Sequence, residues 1–288
     1  MPLRLLCLVL LALLACAPGG FAPGSRQRLD TRGSLEAEAA KLERARNSRS
    51  GRVDTRIELG TVYYLLARDA LDGQADEGRY LAYLEKSVEE FVTAVELDPR
   101  HGEPHFYLAV MDTYRGDLRG ALRGFNNVKR LNPSPIAYTN IAEIYVYRGR
   151  PDRAREWNRL GLRKGAPYGP VIFNDMLIAW KEGDVGEARR RFRQLERSDP
   201  DMLRTINVAR LPRTPRSFEE FAGYCCGSPA CGPYMKQRCI DLALPVQERE
   251  ISEETLLKEL RLEIEAKRRM RKVYEQRKEL EIEIEVPE

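Results

Sequence analysis

Between about Val53 and Met202 the chain repeats itself, and this limits what it can fold into more than any other feature. An Ala is followed four residues later by an aromatic and eight residues beyond that by a Pro: Ala121, Phe125 and Pro133, then Ala188, Phe192 and Pro200. Ser87, Phe91 and Pro99 give the set again with Ser for Ala. Gly116, Gly149 and Gly183 recur at almost the same period. The small residue lets one helix approach another closely, and the aromatic fills the gap between them. The Pro ends the helix, because it cannot continue the hydrogen-bond ladder beyond its own first turn. The pattern predicts pairs of amphipathic helices joined by tight turns. One pair alone leaves an apolar face bare, so pairs must stack.

These residues resemble the tetratricopeptide repeat, in which a W-x2-L-G-x2-Y helix precedes an A-x3-F helix that ends at a Pro. Four repeats are assigned over 53–202. The first carries Leu59, Gly60 and Tyr63, with Arg56 in place of Trp and an insertion near Leu71 to Gly78. The second, from Gly102, has Leu108 and Ala109 but Asp112 where Tyr is expected. The third, from Pro135, has Ile141, Ala142 and Tyr145; Asn158 replaces its aromatic, and neighbouring Trp157 is the candidate to compensate. The fourth, from Gly169, has Asp175 and Met176 for Leu-Gly. The resemblance implies an all-α helical solenoid with a concave groove lined by the first helix of each repeat. Carried onto this chain, the lining is Tyr64, Phe106, Val110, Tyr114, Thr139, Glu143, Tyr147, Phe173, Leu177 and Lys181. Such a surface suits a peptide or helix of a partner protein. The other reading is that some of these side chains pack between neighbouring repeats. The basic clamp that some family members use for a C-terminal carboxylate is not reproduced here.

Ahead of the repeats the chain reads as an export signal. Arg4 gives a positive start, and Leu5 to Ala15 is an apolar run too short to span a bilayer. Cys16 follows, and Leu13, Leu14, Ala15 and Cys16 resemble the lipobox of bacterial lipoproteins, which implies lipidation of Cys16. Secretion with cleavage near Ala17 or Ala22, or an uncleaved anchor, are the other readings. Residues 17–33, rich in Pro and Gly, read as a flexible tether. In 34–52 a capping helix is expected, with Leu35, Ala39 and Leu42 on one face.

After the repeats, 203–248 is broken by Pro and Gly and holds Cys225, Cys226, Cys231 and Cys239. In an oxidising envelope an even cluster reads first as two disulfides, with adjacent Cys225 and Cys226 each paired to Cys231 or Cys239. A four-thiolate metal site and a redox module are the alternatives. The charged stretch 249–288 predicts a long helix from Ser252 to about Leu280, supported by Glu254–Lys258, Glu263–Lys267 and Glu265–Arg269 pairs. Glu281 to Val286 alternates like a strand. The helix can also be expected to fold back into the protein's own groove. A basic run, Lys267 to Lys272, has acidic residues on both sides and reads as a solvated face.

The formal net charge of +4 is too small a surplus for a nucleic-acid binder. Nucleotide-binding, esterase and zinc-protease signatures are absent. The only histidines, His101 and His105, are separated by Pro104, which makes a shared metal doubtful. No enzyme, metal or cofactor is expected. The sequence therefore predicts an exported, lipid-anchored scaffold facing the periplasm, or a soluble periplasmic or secreted one, that binds other envelope proteins. A structural subunit held through the C-terminal helix and Cys segment is the second reading, and a metal or redox module the third. Oligomeric state is left open.

Overall fold

The computed structural model describes residues 32–48, 53–71, 76–200, 215–227 and 252–277. Cys16, Cys231, Cys239, Glu281 to Val286 and the signal and most of the tether lie outside the described residues. The described chain is all-α, as the sequence predicts, with eleven helices and no strand. In order they are α1 (Arg32–Ser48), α2 (Val53–Leu71), α3 (Glu77–Leu97), α4 (Gly102–Arg115), α5 (Leu118–Leu131) and α6 (Pro135–Tyr147). There follow α7 (Pro151–Arg163), α8 (Tyr168–Glu182), α9 (Val185–Ser198), α10 (Phe218–Gly227) and α11 (Glu253–Arg277).

Helices α2 to α9 form four antiparallel hairpins, α2–α3, α4–α5, α6–α7 and α8–α9, each packed on the next. Turn chemistry explains where each helix stops. Gly116 and Gly183 end α4 and α8 with φ of 81° and 90°, the left-handed region that a side chain disfavours. The next residue caps the following helix: Asp117 accepts from the Gly120 amide and Asp184 from the Glu187 amide. In the third hairpin Gly149 is again left-handed, and Pro151 supplies the first residue of α7. At the far ends, Asp98 and Asn132 are extended and Asp199 also leaves the helical region ahead of Pro99, Pro133 and Pro200, because a residue before Pro avoids that region.

Inside each hairpin the small–aromatic pair is buried. Ala121, Phe125 and Phe91 are fully covered and Phe192 nearly so. The Phe91 ring lies where a Cβ on Gly60 would stand, 2.9 Å away, so that glycine sets the spacing of α2 and α3. Ser87, standing in for Ala, spends its hydroxyl on the Gly60 carbonyl at 2.8 Å. Each such ring contributes about 1.5 to 3 kcal/mol through burial.

Both ends of the array are covered. Leu35, Ala39 and Leu42 of α1 pack on Leu59, Val62, Tyr63 and Leu66 of α2. Glu90, nearly fully buried on α3, ties the three helices together by pairing with Arg46 of α1 and with Arg56 of α2 at 2.9 Å. At the other end, Phe218 and Phe221 of α10 stack edge-on against Trp180, and Phe221 against Phe173. Helix α11 runs alongside α3.

Candidate functional site

The residues expected to line an open groove are core. Tyr64, Phe106, Val110, Thr139, Glu143, Tyr147, Phe173, Leu177 and Lys181 are all buried, the most exposed being Glu143 at 9%. The side chain of Tyr114 lies outside the described residues. The reason is packing within hairpins, between successive hairpins and against α10. Tyr64 meets Tyr107 of α4, Phe106 meets Phe125 of α5, and Phe173 meets Phe221 of α10. Leu177 and Tyr147 join the same cluster as Phe218 and Phe221. Burial lifts the Glu143 carboxyl to about 7, against the pull of the Tyr147 hydroxyl that donates to it at 3.1 Å. An exposed aromatic lining over these positions is therefore corrected to a buried one.

The irregular third and fourth repeats are explained by a polar network. Asn158, in the place of an aromatic, donates to the Val171 carbonyl at 3.0 Å and to Asp175 at 2.9 Å. Asn174 donates to Asn158 at 3.0 Å and to the Thr139 carbonyl at 2.8 Å. Asn158 and Asp175, two separate departures from the motif, are thus partners. Trp157 does not compensate: it turns to Tyr138 at 5.9 Å and lies under the Lys129 ammonium at 4.8 Å.

The surface that visibly holds a helical segment lies elsewhere. Helix α11 seats over the cleft whose walls are α3 and α5 and whose floor is α4. Met270 covers Val95 and touches Leu108, and Ala266 joins the main core. The Lys267 ammonium inserts among Asp112, Asp117 and Glu263, whose oxygens all lie within 4.8 Å of one another. Burial works against that ammonium, but the three carboxylates prevail and hold its pKa above the usual lysine value. Arg269 grips both oxygens of Glu96 at 2.8 Å and also pairs with Glu89. It therefore leaves the predicted Glu265–Arg269 pairing for one across the helix interface. At the other end, Ser252 and Thr255 bond to Glu77. The basic run is divided by this docking: Lys267 and Arg269 face inward, while Arg268, Arg271 and Lys272 are exposed. On the outer side, Leu257, Leu260 and Ile264 are 43 to 49% exposed.

Two glycines of α5 shape one wall of this cleft. A Cβ on Gly124 would stand 2.6 Å from the Cβ of Ala109, and one on Gly120 would stand 2.7 Å from an Asp112 oxygen. Glycine lets α4 and α5 close up while leaving room for the carboxylates. Sequence reasoning missed Asp112 and Asp117 as a socket; the signals were the acid in a Tyr position and two glycines inside one helix. A cavity of about 40 Å³ remains beneath α11. A second, wider cleft of about 360 Å³ lies between α7 and α9 over α8; its lining mixes Arg155, Arg159 and Arg191 with Asp175, Glu182, Asp184 and Glu187, beside Leu162 and Ile178.

The remaining candidates do not converge. His105 is buried and shares a hydrogen with the Pro99 carbonyl at 3.0 Å, and burial lowers its pKa to about 4. His101 points to Asp54 at 3.8 Å. Cys226 is buried and disulfide-bonded; the side chain of Cys225 lies outside the described residues, like Cys231 and Cys239. No helix among the described residues is long and apolar enough to cross a membrane. Compared with known proteins, the chain matches no family model and no curated protein.

Proposed function

We propose that the chain is an exported, lipid-tethered scaffold of tetratricopeptide type that holds other proteins in the clefts between its helical hairpins. The observation that carries this reading is α11: a charged amphipathic helix lies on the α3–α5 cleft through a few apolar contacts and a set of ion pairs. A surface that accepts one helix in this way is suited to accept helices of partners. The lipobox-like Leu13 to Cys16 supplies the anchor, and the cysteines after α9 form disulfides.

Mild cross-linking of the native envelope followed by affinity capture tests the scaffold, with Leu162→Ser combined with Arg159→Glu as the comparison. The expected outcome is a reproducible partner that the double variant loses. A protein recovered alone, or a partner bound equally by both, argues against cleft binding. The anchor is tested separately, since Cys16→Ser should abolish lipid labelling and release the protein from membranes.

The exposed stripe of Leu257, Leu260 and Ile264 favours a second reading, a structural subunit gripped through α11. In that case Leu257→Ser with Ile264→Ser removes the protein from its assembly while the α7–α9 variant does not.

A further inference from the structure

The second helices of the hairpins gather positive charge on one side of the array. Helix α2 touches α4 and α6 packs on α8, so the first helices form an inner layer and α3, α5, α7 and α9 an outer one. Helix α5 has Arg119, Arg123, Lys129 and Arg130 and no acid. Helix α7 sets four arginines against Asp152 and Glu156, and α9 sets five against Glu187 and Glu196. Several acids on and beside these helices are spent within the fold. Glu156 pairs with Arg153, Glu182 with Arg155, and Glu187 with Arg190 and Arg191, while Asp184 caps α9. Arg163, Lys164, Arg193 and Arg197 are exposed and make no salt bridge among the described residues. The modest formal charge of +4 for the whole chain thus conceals a cationic outer layer.

Helix α3 is the exception in that layer, with five glutamates against Arg79 and Lys86, and it is the helix that α11 covers. Lys267 and Arg269 take up Asp117, Glu89 and Glu96. The outward side of α11 then presents Leu257, Leu260 and Ile264, each nearly half exposed and spaced three and four residues apart, so that they form one stripe. Along the same side Arg261, Arg268, Arg271 and Lys272 are exposed, against Glu265 and Glu275. Docking of α11 therefore replaces an acidic surface with cations and aliphatic side chains.

We infer that this outer face lies on an anionic phospholipid surface, with the α11 stripe at the edge of the acyl chains and the cations of α11, α5, α7 and α9 on headgroup phosphates. The inference rests on the reading that the chain is lipid-tethered. Residues 17–33 span at most about 60 Å when fully extended, which keeps the anchored body close to the headgroups. A bilayer is the occupant that uses both features at once: leucines enter its apolar boundary while arginines reach back to phosphate. A soluble polyanion would leave the leucines in water. Three half-exposed side chains also fall far short of the roughly 800 Å² that each partner buries in a stable protein interface.

The test places a reporter on the stripe. The full chain carrying Leu260→Trp is reconstituted with vesicles of phosphatidylcholine, alone or with about one third phosphatidylglycerol, whose acyl chains are brominated. Bromine quenches an indole only at acyl depth, and the signal of native Trp157 and Trp180 is subtracted using the parent. The added indole should be quenched in the anionic vesicles, and several-fold less in the neutral ones or at high salt. Arg261→Glu with Arg268→Glu should lower the quenching several-fold, and Arg163→Glu with Arg193→Glu should lower it measurably. Arg44→Glu, an exposed change on α1 outside this layer, should leave it within about twofold. No quenching in anionic vesicles, quenching indifferent to lipid charge and salt, or equal loss with Arg44→Glu overturns the inference. An unquenched indole in a chain that leaves its captured assembly on Leu257→Ser with Ile264→Ser also overturns it and assigns the stripe to a protein. Failure of the tether appears instead in the lipid labelling of Cys16, because quenching is read whether the chain is anchored or simply added to the vesicles.

Discussion

Replacing Lys267 with Met removes one charge and keeps most of the side-chain stem, so it isolates what the ammonium does for α11. Three carboxylates, Asp112, Asp117 and Glu263, then share a socket with no cation between them. Stripping one partner from a fully buried ion pair costs about 3 to 5 kcal/mol. Here the Lys267 side chain is 21% exposed and that of Asp117 29%, and solvent screening brings the expected cost to about 2 to 3 kcal/mol. At 1.4 kcal/mol per decade, docking of α11 weakens roughly 30- to 140-fold. Hydrogen exchange reads this directly, as faster exchange of the α11 amides with those of α8 unchanged. The pH dependence gives a second check. In the native protein burial opposes ionisation of Asp117, but the Gly120 amide and Lys267 outweigh it and hold the carboxyl below its usual range. The stability it contributes is thus present above the ordinary carboxylate pKa and lost as pH falls through the lowered one. In Lys267→Met the crowded carboxylates take up protons earlier, so the gap between variant and parent narrows below about pH 5. Adding Asp117→Asn to the variant should restore part of the protection. Protection of α11 within twofold of the parent, at neutral pH, refutes the idea that this cation fastens the helix.

Other consequences are open to measurement. Phe125→Ala empties a fully buried site between α4 and α5 and should cost about 3 to 5 kcal/mol in denaturant unfolding. Asn158→Leu deprives Asp175, Asn174 and the Val171 carbonyl of partners, with an expected loss of about 1 to 3 kcal/mol and no gain from the added apolar volume; a more stable variant would count against the network. Glu143 has a folded pKa of about 7, above its unfolded value of 4.5. Its contribution is therefore fully present below the unfolded pKa and is lost as pH rises through about 7. Glu143→Gln should flatten that fall and be the more stable protein at pH 8; identical pH profiles would show that Glu143 does not titrate between the two states in this range.

Much of this was legible because it is local. The turn glycines, the pre-proline stops and the small–aromatic spacing act within one hairpin, so Gly116, Pro133, Ala121 and Phe125 announce helix ends and a buried seam without knowledge of anything distant. The all-α class follows from them. Even the departures were visible as departures: Arg56, Asp112, Asn158 and Asp175 stand where the pattern asks for apolar or aromatic residues. What each is for depends on partners that sequence spacing does not disclose. Arg56 meets Glu90, Asn158 meets Asp175, and Asp112 meets Lys267, which stands 155 residues further along the chain. Burial is decided at the same level. Phe106 and Leu177 belong to helices whose periodicity shows an apolar face, but only the packing of helix on helix fixes whether that face meets solvent or another ring. Likewise the sequence of α11 specifies an amphipathic helix with mixed charge, and tertiary structure alone selects the acidic α3–α5 cleft as its seat, because only there do the glutamates of α3 and the aspartates beside α5 converge on its inward cations.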